Sequence, residues 1–106
     1  MMQHKGITMY FMDKELNGVP ALYKQRDTEQ IVYVRYFVSN SDWEWYVMEY
    51  SPLQKLAFGL AMGKLEYFCL DHLDALQYNY DLEILRDYSF KPRPLKEIYN
   101  EQRSNH

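Results

Sequence analysis

Two segments rich in aromatic and β-branched residues, separated by a short polar turn, constrain the fold of this chain most strongly. Residues 30–38 read QIVYVRYFV, residues 43–50 read WEWYVMEY, and SNSD lies between them. β-branched and aromatic residues favour strands, whereas Ser, Asn and Asp favour turns. The pattern therefore predicts two antiparallel strands joined as a hairpin.

The rest of the chain predicts two further strands and several short helices. Gly59 indicates a bulge or a close backbone approach. Because strands come first and helices cluster around them, we predict an α+β fold: an antiparallel β-meander of four to five strands with short helices at the N-terminus, after strand four and at the C-terminus. We expect one small domain over residues 1–106, with residues 1–8 and 103–106 frayed. The predicted elements are strands over Leu56–Met62 and Leu65–Phe68, helices over Lys14–Asn17 (capped by Asp13), Leu70–Gln77 and Leu95–Gln102, and an extended segment over Leu82–Phe90.

Composition narrows the classes of partner. The net charge of −3 disfavours a protein that binds nucleic acid by neutralising phosphates, and it disfavours an anionic membrane surface. No apolar run is long enough to span a bilayer, and the N-terminus lacks a signal-peptide pattern. The one cysteine, Cys69, excludes a disulfide within the chain. We therefore expect a cytoplasmic protein with no membrane partner.

No spacing of reactive side chains matches a catalytic or metal-binding motif. His4, His72 and His106 are too far apart in the sequence to form such a motif. Cys69 precedes His72 by three residues, which places both on one helix face. A structural thiol is nevertheless the favoured interpretation of Cys69. We predict that the chain is not an enzyme and has no catalytic residue, metal ligand or cofactor.

Alternation along the hairpin leaves neither face of the sheet polar. Two explanations remain: helices cover both faces, or they cover one face and the other presents aromatic side chains to a partner. The small number of residues with helical spacing favours the second. The core face would then comprise Val32, Val34, Val38 and Met48. Because Arg, Trp and Tyr are enriched at binding hot spots, the predicted partner-binding residues are Tyr33, Arg35, Trp43, Trp45 and Glu49.

Charged residues inside otherwise apolar segments form a candidate polar cluster of Glu49, Arg86 and Asp87. A buried charge requires a partner, because an unpaired one is costly. One interpretation is structural, with Glu49 paired to Arg86 so that the last strand is locked to the hairpin. The other is functional, with the cluster in a pocket lined by Trp45 and Tyr67. The structural interpretation is favoured, since structural ion pairs often mimic sites.

A basic stretch near the C-terminus offers an alternative function. Cations interleaved with aromatic rings can bind and stack single-stranded nucleic acid. Asp87, Glu97 and Glu101 dilute the charge of this stretch, so a solvated terminal segment is favoured. The residues that would bind nucleic acid are Arg86, Lys91, Arg93 and Lys96, with Arg103 beyond them.

Several short motifs, taken together, resemble the uncharacterised family catalogued as domain of unknown function 2958. The resemblance extends from Leu22 to Glu97. Family members usually carry Gly where this chain has Glu66, and often Ser at the helix cap where it has Cys69. The matching motifs are VRYF from Val34, WEWYV from Trp43, EYSP from Glu49, Phe58–Gly59 with Gly63, EYF from Glu66, Leu73, and LRD from Leu85 with Phe90, Pro92, Pro94 and Leu95.

The resemblance implies a setting on bacterial conjugative and other mobile elements, as an accessory module and in some cases within counter-defence proteins. It implies no reaction. The resulting hypothesis is a non-catalytic protein-interaction module that binds a protein partner of unknown identity through an aromatic sheet face. Homodimerisation through the same face is a variant. A single-stranded nucleic-acid binder and, less favoured, an enzyme of unknown reaction are the alternatives.

Overall fold

The computed structural model describes residues 16–104, and their fold is α+β, as predicted. The elements in chain order are β1 (Ile31–Val32), β2 (Val34–Phe37), β3 (Glu44–Ser51), β4 (Leu56–Ala61), β5 (Lys64–Cys69), α1 (Leu70–Tyr80), β6 (Leu85–Arg86), β7 (Arg93–Pro94) and α2 (Leu95–Ser104). Five strands form an antiparallel sheet in the order β5-β4-β3-β2-β6, and β1 pairs with β7 in a separate ladder. The N-terminal helix and its cap Asp13, predicted over Lys14–Asn17, fall largely outside the described residues.

The predicted hairpin is formed by β2 and β3, which pair antiparallel along the whole of β2. Ser41 stabilises its turn, because its hydroxyl donates to the carbonyl of Val38 at 2.8 Å and accepts the N–H of Trp43 at 3.1 Å. The single strand predicted over residues 30–38 instead divides at Tyr33. As a result β1 leaves the main sheet and pairs with β7.

A bulge in β3 changes which side chains share a face. The register shifts between Val47 and Glu49, so Met48 is an extra residue in the strand. Gly59 lies where the two backbones come closest: a Cβ built there would lie 1.8 Å from the carbonyl oxygen of Tyr46. The close approach predicted at Gly59 is therefore confirmed.

Each face of the sheet is covered by its own helix. We call the face under α1 the α1 side and the face under α2 the α2 side. Apolar contacts of this kind supply most of the stabilisation of a small fold. The α1-side core includes Val34, Tyr36, Trp45, Val47, Tyr50, Ala57, Phe68, Leu70 and Leu73. The α2-side core consists of Val32, Tyr46, Met48, Leu60, Leu95 and Ile98.

The two helices begin close to where the sequence predicts. Cys69 is the N-cap of α1, with extended backbone angles, but its side chain makes no capping hydrogen bond. In α2, Leu95 and Ile98 are buried, and Tyr99 is half-buried. No helix in the described part of the chain is long and apolar enough to cross a membrane.

Candidate functional site

The aromatic face predicted to bind a partner does not exist as one exposed surface. The register places Tyr36 opposite Trp45 and Arg35 opposite Tyr46, so Arg35 and Trp45 point to opposite sides of the sheet. Trp45 is only 2% exposed, inside the α1-side core. The prediction was wrong because α1 and α2 together cover both sides of the central strands, which is the first of the two explanations left open by the alternation.

The two other aromatic residues of that predicted face, Tyr33 and Trp43, are half-buried against the α1-side core. The Trp43 ring meets Trp45 edge-on, with centroids 6.4 Å apart, and Tyr80 of α1 in the same manner at 5.8 Å. Edge-to-face contacts of this kind stabilise packing. These rings therefore hold the start of β3 to the end of α1.

Glu49 is 4% exposed and fixes the loop that precedes β1. Its carboxylate accepts the backbone N–H of Tyr23 at 2.8 Å and that of Gln25 at 2.9 Å. The buried Gln25 side chain donates to the carbonyls of Ile31 and Met48, and accepts the N–H of Ile31. We call Glu49 and Gln25, with the backbone that they bind, the Glu49 clamp.

The predicted ion pair between Glu49 and Arg86 is wrong. Arg86 lies on β6, which is two strands away from β3. Arg86 pairs with Tyr36, which in turn pairs with Trp45 on β3. Because Trp45 and Glu49 are separated by roughly 13 Å along β3, Arg86 is displaced from Glu49 by a similar distance in the strand direction. The Arg86 guanidinium instead lies over the ring of Tyr88, 5.3 Å from its centroid.

Asp87 belongs to an ion-pair cluster centred on Arg35. The guanidinium binds Glu44 through Nε and Asp87 through Nη1, each at 3.1 Å. Burial lowers the pKa of Arg35, but the hydrogen bond with Glu44, together with Tyr46, raises it overall. Hydrogen bonds from Ser89, joined by Arg35, outweigh burial and lower the pKa of Asp87. The cluster ties β6 to β2 beside an open groove of about 460 Å³ at the hairpin end.

The cations proposed for nucleic-acid binding are largely engaged with carboxylates. Arg93 contacts Glu97 at 3.3 Å and Glu101 at 2.5 Å. Lys96 lies 3.5 Å from Glu29, and Lys91 is exposed. A phosphate would therefore have to compete with these carboxylates for two of the cations. Among the described residues, no group of three or more His, Cys, Asp or Glu side chains is placed to hold a metal ion.

An exposed aromatic surface does exist at the edge of the sheet opposite β6. It is formed by β4, β5 and the loop that Glu49 holds. Tyr67 packs on Phe58 with ring centroids 4.8 Å apart and on Tyr23 at 6.4 Å. The guanidinium carbon of Arg26 lies 5.1 Å above the Tyr23 ring. Tyr23, Leu65 and Tyr67 are 54%, 40% and 47% exposed. We call Tyr23, Arg26, Phe58, Leu65 and Tyr67 the edge patch.

The edge patch is exposed because α2 does not extend over it. Leu65 and Tyr67 pair with Leu60 and Phe58, so they point to the α2 side. The helix packs on the central strands and contacts Leu60, but Leu65 and Tyr67 on β5 remain exposed. Along this strand the first four residues are all exposed, in contrast to the buried interior of β3.

Tyr23 adopts an unusual backbone conformation for an aromatic residue. Its φ of 73° is in the left-handed region, which costs about 1–2 kcal/mol for a residue other than glycine. The hydrogen bond from its N–H to Glu49 holds it there. Partial burial, and next a hydrogen bond with Tyr23, raises the pKa of Tyr67. The Glu49 clamp thus positions one of the aromatic rings of the edge patch.

Sequence reasoning missed this surface, although it named several of its residues in other roles. The sequence assigns Tyr67 to a predicted strand, a family motif and the lining of a pocket, Phe58 to a strand and a family motif, and Leu65 to a strand. A usable signal was present in Lys64 to Tyr67, where charged and apolar residues alternate as in a half-solvated strand. The position of that strand at the sheet edge is a tertiary feature that the pattern does not contain.

Comparison with models of known protein families gives a match over most of the chain. The model of the family described as "Protein of unknown function (DUF2958)" matches residues 10–105. No curated protein matches the chain. No solved structure matches it either.

Proposed function

The chain belongs to the DUF2958 family of proteins of unknown function, and we propose that it is a non-catalytic protein-interaction domain whose partner binds at the edge patch. The observation that supports this most is the patch itself, in which exposed Tyr23, Leu65 and Tyr67 lie together on a sheet edge beside Arg26. Contiguous exposed apolar side chains commonly mark interaction surfaces.

The residue types of the patch support a protein partner. Tyr and Arg are enriched among the residues that contribute most to binding energy. A tyrosine can bury its ring while its hydroxyl keeps a hydrogen bond. The Glu49 clamp adds preorganisation, because a loop that is already ordered loses less conformational entropy on binding.

A nucleic-acid accessory function remains the alternative, and the ion pairs weigh against it. Arg93 and Lys96 each have carboxylate neighbours within the chain. Binding to phosphates would break those pairs, and the net charge of −3 adds long-range repulsion.

The proposal includes the cellular setting that the family resemblance implies, which is an accessory role for a bacterial mobile element. Counter-defence is one of the candidate roles, and the proposed location is the cytoplasm. A domain of this kind would act by occupying a surface of a host or element protein. It would need no cofactor.

Affinity capture from a nuclease-treated bacterial lysate tests the proposal. One variant combines Tyr23→Asn with Tyr67→Thr, which removes two rings from the edge patch and keeps residues suited to the local backbone. The matched control combines Tyr78→Asn with Tyr88→Thr, because Tyr78 and Tyr88 are 77% and 71% exposed but lie outside the patch. Circular dichroism establishes that all three proteins fold.

We expect the wild type and the control to retain the same protein and the patch variant to lose it. Retention should change little with salt. A result in which all three proteins retain the same partner, or none does, would reject the edge patch. Retention of single-stranded DNA that falls steeply with added salt would favour the alternative function.

A further inference from the structure

We propose that the partner adds to β5 as an antiparallel strand, through an extended segment that is basic on one side and apolar on the other. This inference rests on the proposed function and names the chemistry of the partner at the same patch. Three features of β5 support it: its backbone groups, its apolar side chains and its charge.

The backbone of β5 has hydrogen-bonding groups that the described part of the sheet does not use. In that part, β5 pairs only with β4. The turn between them consists of Met62 and Gly63, with φ values of 54° and 86°, so the pair flanking this two-residue turn is hydrogen-bonded. Bonded and non-bonded pairs alternate from there. The N–H and C=O groups of Leu65 and Tyr67 therefore point away from β4, where an added strand can bind them.

The side chains of β5 specify what such a strand must carry. Leu65 and Tyr67 point to the α2 side, where they extend the apolar surface of Phe58. Glu66 lies opposite Gly59, on the α1 side, and is exposed. A residue directly opposite another in an antiparallel pair shares its face. A partner strand should therefore place apolar residues opposite Leu65 and Tyr67 and a cation opposite Glu66.

The surrounding charge favours a basic partner. Residues 65–85 contain no Lys or Arg. They include α1, which lies on the same side of the sheet as Glu66. The net charge of −3 favours encounter with a cationic segment over longer distances. The acidic residues of this stretch are Glu66, Asp71, Asp74, Asp81 and Glu83.

A second copy of this chain fits the edge less well. If a twofold axis perpendicular to the sheet relates two copies of β5, residues that lie opposite each other must point to the same face of the joined sheet. Only some registers of the two strands meet this condition. The register that pairs Leu65 with Tyr67 places two Glu66 side chains opposite each other, which is unfavourable. The register that pairs Lys64 with Glu66 uses only the first half of the strand, next to the turn. Self-association is therefore an outcome for the experiment to exclude.

A fluorescent peptide of alternating Lys and Val is the probe, and anisotropy is the readout. The first comparison uses peptides that are N-methylated either on every Val or on every Lys. The Val residues lie opposite Leu65 and Tyr67, so their N–H groups face β5. The second comparison uses a Glu–Val peptide and the Glu66→Lys variant. Asp42→Lys is the matched control, because Asp42 is exposed but belongs to the hairpin turn. Analytical ultracentrifugation of the wild type measures self-association.

We expect saturable binding of the Lys–Val peptide that is lost on methylation of Val and kept on methylation of Lys. Glu66→Lys should weaken binding by about tenfold and favour the Glu–Val peptide, whereas Asp42→Lys should have little effect. Absence of binding, equal binding of the two methylated peptides, or dimerisation that excludes the peptide would overturn the inference. If the lysate partner still depends on Tyr23 and Tyr67, the proposed function stands with another mode of binding.

Discussion

The buried carboxylate of Glu49 accepts a 2.8 Å hydrogen bond from the backbone N–H of Tyr23, a residue that is itself 54% exposed. This bond links the interior of β3 to the edge patch. Its acceptor is 4% exposed, and its donor belongs to a residue with φ of 73°. The sequence predicts that Glu49 belongs to a partner-binding face or an ion pair. In the structure Glu49 is buried and positions Tyr23 of the edge patch.

Glu49→Gln should destabilise the fold by about 2–3 kcal/mol, because hydrogen bonds to a charged group are among the stronger ones. A glutamine oxygen can accept one of the two N–H groups, but its amide nitrogen then faces the other donor. Urea unfolding measures the change. Glu83→Gln is the control, since Glu83 is exposed, and should be within about 0.5 kcal/mol of the wild type. Equal stability of the two variants would show that the clamp contributes little.

Gly59→Ala should be among the most destabilising single-methyl changes in this chain. The added Cβ would lie 1.8 Å from the carbonyl oxygen of Tyr46, so the backbones of β3 and β4 would have to separate. Overpacking usually costs about 1–3 kcal/mol, and a clash with backbone belongs at the upper end or above. Gly63→Ala is the comparison, because a Cβ added at Gly63 would have no atom within 4 Å, whereas the φ of 86° there is strained for alanine. Thermal unfolding of the two variants therefore distinguishes a steric clash from backbone strain. A smaller loss at Gly59 than at Gly63 would contradict this assignment.

Cys69→Ser should stabilise the protein by about 0.5–1 kcal/mol. Cys69 has the extended backbone of an N-cap but makes no capping bond through its side chain. A serine hydroxyl at that position can accept an N–H of the first turn of α1. Chemical denaturation measures the gain, and Cys69→Ala, which cannot form the cap bond, is the control. Loss of stability in the serine variant would mean that the half-buried thiol contributes more through packing.

Asp87→Asn should reduce stability near neutral pH by about 1 kcal/mol, with the difference from the wild type disappearing in acid. The hydrogen bonds from Ser89 and Arg35 lower the pKa of Asp87 from its usual value, so its stabilising contribution is fully present above that usual value. It is lost as the pH falls through the lowered pKa. Urea unfolding of both proteins across the acid range measures the convergence. A difference that stays constant would assign the effect to shape and not to charge.

Local pattern was sufficient for much of the fold. The hairpin, the strand around Gly59 and the inward face of α2 follow from residue type and spacing, which are local properties. Two features depend on contacts between distant segments. One is the bulge at Met48, which places Glu49 beside the loop that precedes β1. The other is the break at Tyr33, which sends β1 to β7.

The candidate site was predicted less well, because burial depends on which part of the sheet each helix covers. Trp45 is a residue type that is common at binding hot spots, but it is buried under α1. Tyr67 lies in a strand whose sequence did not suggest a binding surface, yet it remains exposed. Sequence alternation gives the face of a residue but not the strand order. The order β5-β4-β3-β2-β6 decides that β3 is central and β5 an edge.

Photo-crosslinking in bacterial cells tests the central claim most directly. A photoreactive phenylalanine derivative replaces Tyr67 in one variant and Tyr78 in a second variant. Tyr78 is the control position, because it is also a tyrosine and is 77% exposed on α1. The account predicts a discrete crosslinked adduct with another protein from position 67, and none from position 78. The Tyr23→Asn change should weaken that adduct. No adduct at position 67, or the same adducts from both positions, would contradict the account.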